Sequence, residues 1–265
     1  MLLPASYANG FAPRDGRPLY PELWRGCVGA WNPGLGVSGL TLRDQSGFQN
    51  NGTLTGGPTW AASGGKYSLS FDGSDDYVLV SSTLGIGTIL GRPNSATMSG
   101  WIYKKTTGRQ VLIGDWNSSG VGESFVLELA GEKVVCYVRC PDFNNVVGNT
   151  SVPLNQWIHL AVTFIVGDQT ILYLNGVSDK SQATVGVGPL GTGSAISLAR
   201  AGAYNGLYVN GQLDDIRIYN RALSPQEIRT LSTRRGIAYE MAPRRRSSSA
   251  VTTNRRRRII IGGNR

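Results

Sequence analysis

The chain has 265 residues, of which 36 are Gly and only 16% are charged, and a hydrophobic fraction of 40% is enough to fill one sizeable core. The formal net charge of +9 is not spread evenly. Arg234 to Arg265 holds ten Arg and one acidic residue, Glu240, while the rest balances 16 basic against 16 acidic residues, which excludes a basic folded body and assigns any polyanion binding by charge to the C-terminal segment.

In chain order, residues 1–23 are rich in Pro and Gly and read as an extended arm. They carry neither a basic n-region nor an adequate apolar h-region. The longest apolar stretch, Leu160 to Val166, is too short to span a bilayer. The expectation is a soluble protein made in the cytoplasm. From Trp24 onward, short apolar runs recur between turn signals, as a sandwich requires. Tyr67, Leu69 and Phe71 alternate, and Met98 to Tyr103 is a short strand. Phe125 to Leu129 and Val134 to Cys140 form a hairpin around Ala130-Gly131-Glu132. Ile158, Leu160, Val162 and Phe164 share one face of a longer strand. Asn175-Gly176 is a two-residue hairpin turn. Ala195 to Ala199 and Gln212 to Tyr219 complete the set. One helix is signalled: Ser224 caps it, Pro225 takes its first position and Glu227 closes a capping box, with an end near Thr233. The three cysteines, Cys27, Cys136 and Cys140, are too few and odd for a disulfide framework. Cys136 and Cys140 share a strand face about 13 Å apart, too far to bridge, so buried thiols are expected, with a Cys27 pairing left open.

Four segments carry a resemblance. They are Gly29-Ala30-Trp31-Asn32-Pro33 with Leu42-Arg43-Asp44-Gln45-Ser46-Gly47 and Asn51-Gly52-Thr53-Leu54; Leu69-Ser70-Phe71-Asp72-Gly73-Ser74-Asp75-Asp76-Tyr77-Val78; Trp157-Ile158-His159-Leu160-Ala161-Val162-Thr163-Phe164 running into Leu172-Tyr173-Leu174-Asn175-Gly176; and Leu213 to Ser224. Together they resemble the laminin-G-like jelly-roll family in its concanavalin-like branch, over about Trp24 to Leu231. The opening and the Arg-rich end also look like laminin-G-like proteins of phage genomes. The resemblance implies an all-β, antiparallel two-sheet jelly-roll sandwich with one short C-terminal helix. The expected layout is an N-terminal arm at 1–23, the jelly roll at 24–233 and a basic arm at 234–265. It further implies a habit of binding glycans or proteins, and a virion as the place of action, with an extracellular protein as the alternative. Jelly rolls of this type often hold one structural calcium where first and last strands meet, which points to Asp44 with Asn50 or Asn51, and to Asp214. By strand alternation Asp214 shares a face with Ile216 and Ile218, and an Arg could partner it instead of metal.

Other residues are weighed on their chemistry. Glycan-cleaving enzymes on this fold place carboxylates at alternate strand positions, which sets the separation that two acids need. No such pattern occurs: Glu123 and Glu128 are five apart and face opposite ways. His159, the single histidine, sits within a strand and reads as packing. Asp72, Asp75 and Asp76 surround a Gly in a turn; Asp side chains bond local backbone in such turns, and calcium is the competing reading. Trp116, Tyr204 and Tyr208 fall in Gly- and Asn-rich loops where rings can stack on sugars, whereas Trp31, Trp101 and Trp157 read as core. The tail runs Arg244, Arg245, Arg246 and Arg255, Arg256, Arg257, Arg258 admit three readings. They form a solvated end, a phosphate-binding arm, or an anchor docking on other virion proteins or copies of itself, with Ile259 to Ile261 as an edge strand. The leading expectation is a non-enzymatic virion decoration or adhesion protein. A free lectin-like carbohydrate binder is the alternative, and a glycoside hydrolase or lyase is disfavoured.

Overall fold

A computed structural model describes residues 14–63, 65–81, 90, 94–115, 125–140, 142–184, 196–201 and 206–243. Two antiparallel sheets make up the body. The first runs in the order β15 (Val177–Ala183), β14 (Gln169–Leu174), β13 (Trp157–Ile165), β8 (Ser95–Lys104), β17 (Asn210–Tyr219), β6 (Lys66–Asp72) and β5 (Thr59–Ser63), with β2 (Cys27–Trp31) also paired to β17. The second runs β12 (Asp142–Ser151), β11 (Lys133–Cys140), β10 (Phe125–Ala130), β9 (Gln110–Gly114), β16 (Ile196–Leu198), β7 (Tyr77–Ser81), β4 (Gly52–Thr55) and β3 (Thr41–Leu42). Apart from these, β1 (Arg14–Pro18) and β18 (Met241–Pro243) form an antiparallel ribbon. The sandwich read from period-two alternation is therefore present, with its many non-local pairings.

β13 shows why these residues make strands. Ile158, Leu160, Val162 and Phe164 point into the core, while the intervening His159, Ala161 and Thr163 point outward. Phe164 meets Phe125 of the opposite sheet edge to face, with ring centroids 5.3 Å apart, so the two sheets interdigitate. The Asn175-Gly176 turn has both residues at positive φ, 49° and 79°, as a type I′ hairpin demands. A side chain on Gly176 would also strike Ser232 Oγ. At one side, where an edge of each sheet meets, Asp179 of β15 accepts the backbone N–H of Asn149 at 2.8 Å and of Thr150 at 3.0 Å on β12, stapling the two sheets together.

The helix α1 (Pro225–Leu231) has its full capping box: Ser224 Oγ accepts from Glu227 N, and Glu227 Oε2 accepts from Ser224 N at 2.8 Å. It ends two residues before the expected Thr233. Its Ile228 and Leu231 join Leu23, Tyr219, Ile237 and Ala238 in a second apolar cluster on the outer face of the first sheet. Packing thus begins before Trp24 and continues past Thr233, through the 3-10 turns Pro21–Trp24 and Ile237–Tyr239. Cys27 and Cys136 are buried free thiols, the first in this outer cluster and the second in the main core. Burial raises the pKa of both, Cys27 to about 11. Among the described residues no helix is long and apolar enough to cross a membrane.

Candidate functional site

The first-loop residues gather, but around a hydrogen-bond staple. Asp44 Oδ1 accepts from Ala30 N at 2.9 Å and Ser46 N at 2.8 Å; Oδ2 accepts from Ser46 Oγ at 2.7 Å and Asn50 N at 3.0 Å. Asn51 Oδ1 takes Asp44 N, and the Asn50 side chain donates to Val28 O. Arg43, Asp44, Gln45 and Asn51 line a surface hollow of about 530 Å³. Calcium needs six to eight oxygens, and the Asp44 carboxylate already receives four protein donors, three of them rigid backbone N–H groups. Asp214 is not among the residues lining that hollow. The donor set, as arranged, fits a loop anchor rather than a cation.

Asp214 lies on the outer face of the first sheet, and not on the core face with Ile216 and Ile218 as alternation alone suggests. The cause is a β-bulge: the β17–β8 register shifts between Asp214 and Arg217, and Asp215 takes φ 47°. One extra residue turns Asp214 over while Leu213, Ile216 and Ile218 keep the core. Asp214 is 1% exposed; Oδ1 accepts from Asp215 N at 2.8 Å and Oδ2 is 3.4 Å from Arg235 Nη1. Burial, helped by the charge of Asp215 and opposed by Arg235, pushes its carboxyl up to about 7. Asp215 accepts from Arg217 Nε at 2.9 Å and from Gly236 N at 3.0 Å. The fully buried Arg217 guanidinium sits between the rings of Trp24 and Tyr239, 4.8 Å from each centroid. His159 packs on Trp101 nearby, and burial with the Arg217 charge lowers its pKa to about 3, so it is neutral. Of the tryptophans read as core, Trp31 is in the main core, Trp101 is buried on this outer face and Trp157 is half-buried beneath Arg235 at 4.1 Å.

The acidic turn brings Asp72, Asp75 and Asp76 carboxylate oxygens within 4.8 Å of one another. Asp72 Oδ1 accepts from Ser74 N and Asp76 Oδ2 from Asp72 N, so the turn uses its carboxylates to bond local backbone. The backbone N–H groups that the Asp72 carboxylate accepts, that of Ser74 first, lower its pKa; burial raises that of Asp76.

The outer face of the second sheet carries a different assembly. The Arg200 guanidinium carbon sits over the Tyr77 ring, 3.7 Å from its centroid, and Tyr208 stands beside Tyr77 with ring centroids 6.4 Å apart. Of the loop aromatics proposed from the sequence, Tyr208 is thus placed in an aromatic–guanidinium platform, while Trp116 and Tyr204 lie outside the described residues. Further along the face, Glu128 is fully buried, pairing with Arg109 Nε at 2.8 Å beneath Tyr137. Burial raises its pKa, against hydrogen bonds from Arg109 and Tyr137. Strand spacing puts Tyr77 and Glu128 roughly 14 Å apart, three strands across. Glu128 faces Val111 and Val135 across the strands, with Val126 and Ala130 beside it on β10. A carboxylate pair for glycoside hydrolysis is therefore not built on these neighbours. Sequence reading passed over Tyr77 and Arg200 as site residues and weighed Glu128 only as half of a carboxylate pair. The one visible signal was a Glu inside the apolar run Phe125 to Leu129.

The Arg runs at 244–246 and 255–258 lie outside the described residues. A family model described as the concanavalin A-like lectin/glucanases superfamily, of laminin-G type, matches residues 72–229, which include Tyr77, Glu128, Arg200 and Tyr208. No curated protein matches the chain. Among solved structures, it is similar to the binding domain of Paraclostridial mosquitocidal protein 1, with TM-score 0.60, 17% identity, and 79% of this chain and 52% of that one covered. It is similar to a botulinum neurotoxin type C structure, described as depending on two ganglioside molecules for cell entry, with TM-score 0.59, 13% identity, and 80% and 52% covered. It is also similar to domain 4 of the extracellular arabinanase AbnA from Geobacillus stearothermophilus, in complex with arabinotriose, with TM-score 0.58, 16% identity, and 78% and 98% covered. The chain spans about half the length of the two toxin structures, and at these identities the likeness is one of fold.

Proposed function

The chain belongs to the concanavalin A-like lectin/glucanases superfamily, and on that premise we propose that it is a non-enzymatic carbohydrate-binding module whose ligand lies on the outer face of the second sheet. The observation that carries this reading is the Tyr77–Arg200–Tyr208 platform. Aromatic rings cover the apolar face of a sugar, and a guanidinium held against a ring donates hydrogen bonds to hydroxyls or a carboxylate. Structures named for gangliosides and arabinotriose share the fold, which supports the same class of ligand. Glu128, tied to Arg109 among valines, serves this face as a rigid polar floor. Glycan-array screening of the full chain, followed by titration of Tyr77→Ala and Tyr208→Ala proteins, tests the proposal. Binding that survives both changes removes this face from consideration, and turnover of a bound glycan would replace the binding reading with an enzymatic one.

A second reading, display on a phage virion, is favoured by one observation: β1 pairs with β18, which sets Arg14 opposite Pro243. Co-sedimentation of the full chain with particles of the source virus tests that role.

A further inference from the structure

The apolar cover of the first sheet stops partway along β13 and β14. Ala161 stands opposite Tyr173, and both are buried in the cluster beneath α1. One outward rung further, Thr163 stands opposite Ile171, which is only partly buried against that cluster. Strand alternation puts Ile165 on the same outer face, where it is 38% exposed. An apolar strip therefore runs out from under the helix and stays open.

Residues 221–225, which lead into α1, form a wall along this strip. Thr97 Oγ1 of β8 donates to Arg221 O at 2.8 Å and accepts from Leu223 N at 2.9 Å. Arg221 Nε donates to Arg25 O at 2.8 Å, and its Nη2 donates to Glu22 O at 3.0 Å and to Glu227 Oε1 at 2.6 Å. These bonds tie the wall to the sheet, to the end of the 3-10 turn Pro21–Trp24 and to α1, so its shape is set before any ligand arrives. Strip and wall bound a mostly apolar hollow of about 500 Å³. Small-ligand pockets fall between roughly 300 and 1,000 Å³ and are apolar with a few placed polar groups.

Three charged side chains line the hollow: Arg25, Arg221 and Glu227. Arg221 and Glu227 neutralise each other, and that pairing holds the Glu227 carboxyl down at about 2. Arg25 is exposed and enters no ion pair among the described residues. We propose that this hollow binds a small amphipathic carboxylic acid, its apolar body on Thr163, Ile165 and Ile171 and its carboxylate on Arg25. The guanidinium fork matches the two carboxylate oxygens. A single cation among apolar neighbours suits a single negative charge, since a phosphate dianion would leave one charge unmatched. The site is independent of the glycan reading, because it lies on the other sheet and shares no residue with the Tyr77–Arg200–Tyr208 platform.

The test is isothermal titration calorimetry of the full chain with sodium octanoate, and with octylammonium chloride as the same apolar body under the opposite charge. Octanoate binds one to one and octylammonium about tenfold more weakly. Arg25→Gln weakens octanoate binding about threefold and Arg25→Lys retains most of it, as a solvent-exposed charge contact requires. Ile165→Asp, which sets a carboxylate on the open end of the strip, weakens it at least tenfold. Leu40→Ser, at an exposed apolar side chain away from the hollow, leaves it unchanged, and thermal unfolding of each variant shows that the body is intact. Absence of binding at about 1 mM octanoate, equal affinity for the two head groups, or affinity untouched by both Arg25→Gln and Ile165→Asp would each overturn the proposal. So would loss of binding in the Leu40→Ser protein, in favour of adsorption on a different apolar patch.

Discussion

The two outer faces of the sandwich have opposite fates. That of the first sheet is covered over its centre by α1 and the two 3-10 turns, and the polar groups beneath them, Arg217, Asp215, Asp214 and His159, are buried. That of the second keeps Tyr77, Arg200 and Tyr208 partly open to solvent. One architecture thus does two jobs. The covered side spends charge on internal pairing, and the other leaves rings and a guanidinium where a ligand can reach them. On the function proposed above, the ligand-binding side is the one left uncovered, and not the one that holds more charged residues.

The largest expected effect tests the sealed side. Arg217→Leu leaves Asp215 buried without its cation and costs about 3–5 kcal/mol in urea unfolding, whereas the same type of change at Arg200 costs far less stability. If the two substitutions destabilise equally, the contrast between the faces fails. Next in size, Tyr77→Ala and Tyr208→Ala weaken glycan binding by at least tenfold, about 1.4 kcal/mol, with little change in melting temperature. Ser224→Ala removes the cap of α1 and costs about 1 kcal/mol, and because α1 belongs to the sealed side it leaves glycan affinity unchanged.

A smaller effect is read against pH. Folded Asp214 keeps its proton up to about pH 7, while the unfolded chain releases it near 3.8. Its contribution to stability is complete below 3.8 and is lost as pH rises through about 7. His159 acts in reverse: its folded pKa of about 3 lies below the ordinary 6.5, so its contribution is complete above 6.5 and is lost as pH falls toward 3. Between about pH 4 and 6.5 the two oppose each other, and above 6.5 the Asp214 decline stands alone. Melting curves from pH 5 to 8 should show that decline in the parent chain and its absence in Asp214→Asn. Smallest of all, chelating divalent ions should leave the melting temperature unchanged, because the Asp44 oxygens are occupied by protein donors. A rise on adding calcium would reopen the metal reading.

Local chemistry was legible in the sequence. The alternation of β13, the Asn175-Gly176 turn and the Ser224–Glu227 capping box each declare themselves within a dozen residues, and their order suffices for the fold. The bulge at Asp215 does not. An Asp at positive φ leaves no mark in the pattern, yet it decides which face Asp214 occupies. The platform was hidden for another reason. Tyr77 and Arg200 lie 123 positions apart and meet only because β16 pairs with β7. Tyr208 was singled out from its loop context, but its neighbours Tyr77 and Arg200 come from the pairing of distant strands. Glu128 was discounted in sequence because Glu123, five positions away, would face the opposite way; Glu123 lies outside the described residues.

The β1–β18 ribbon has a mechanical consequence. Arg14 and Pro243 sit at the same end of it, so tension between the two ends of the chain opens the ribbon one rung at a time instead of shearing it. The load then reaches the Gly236–Asp215 hydrogen bond and the aromatic clamp on Arg217 before any strand of the second sheet. Stretched in a single-molecule trap, the chain should give way first in a weak, short event while the second sheet keeps its shape. The ribbon is a fuse between the two ends of the described chain.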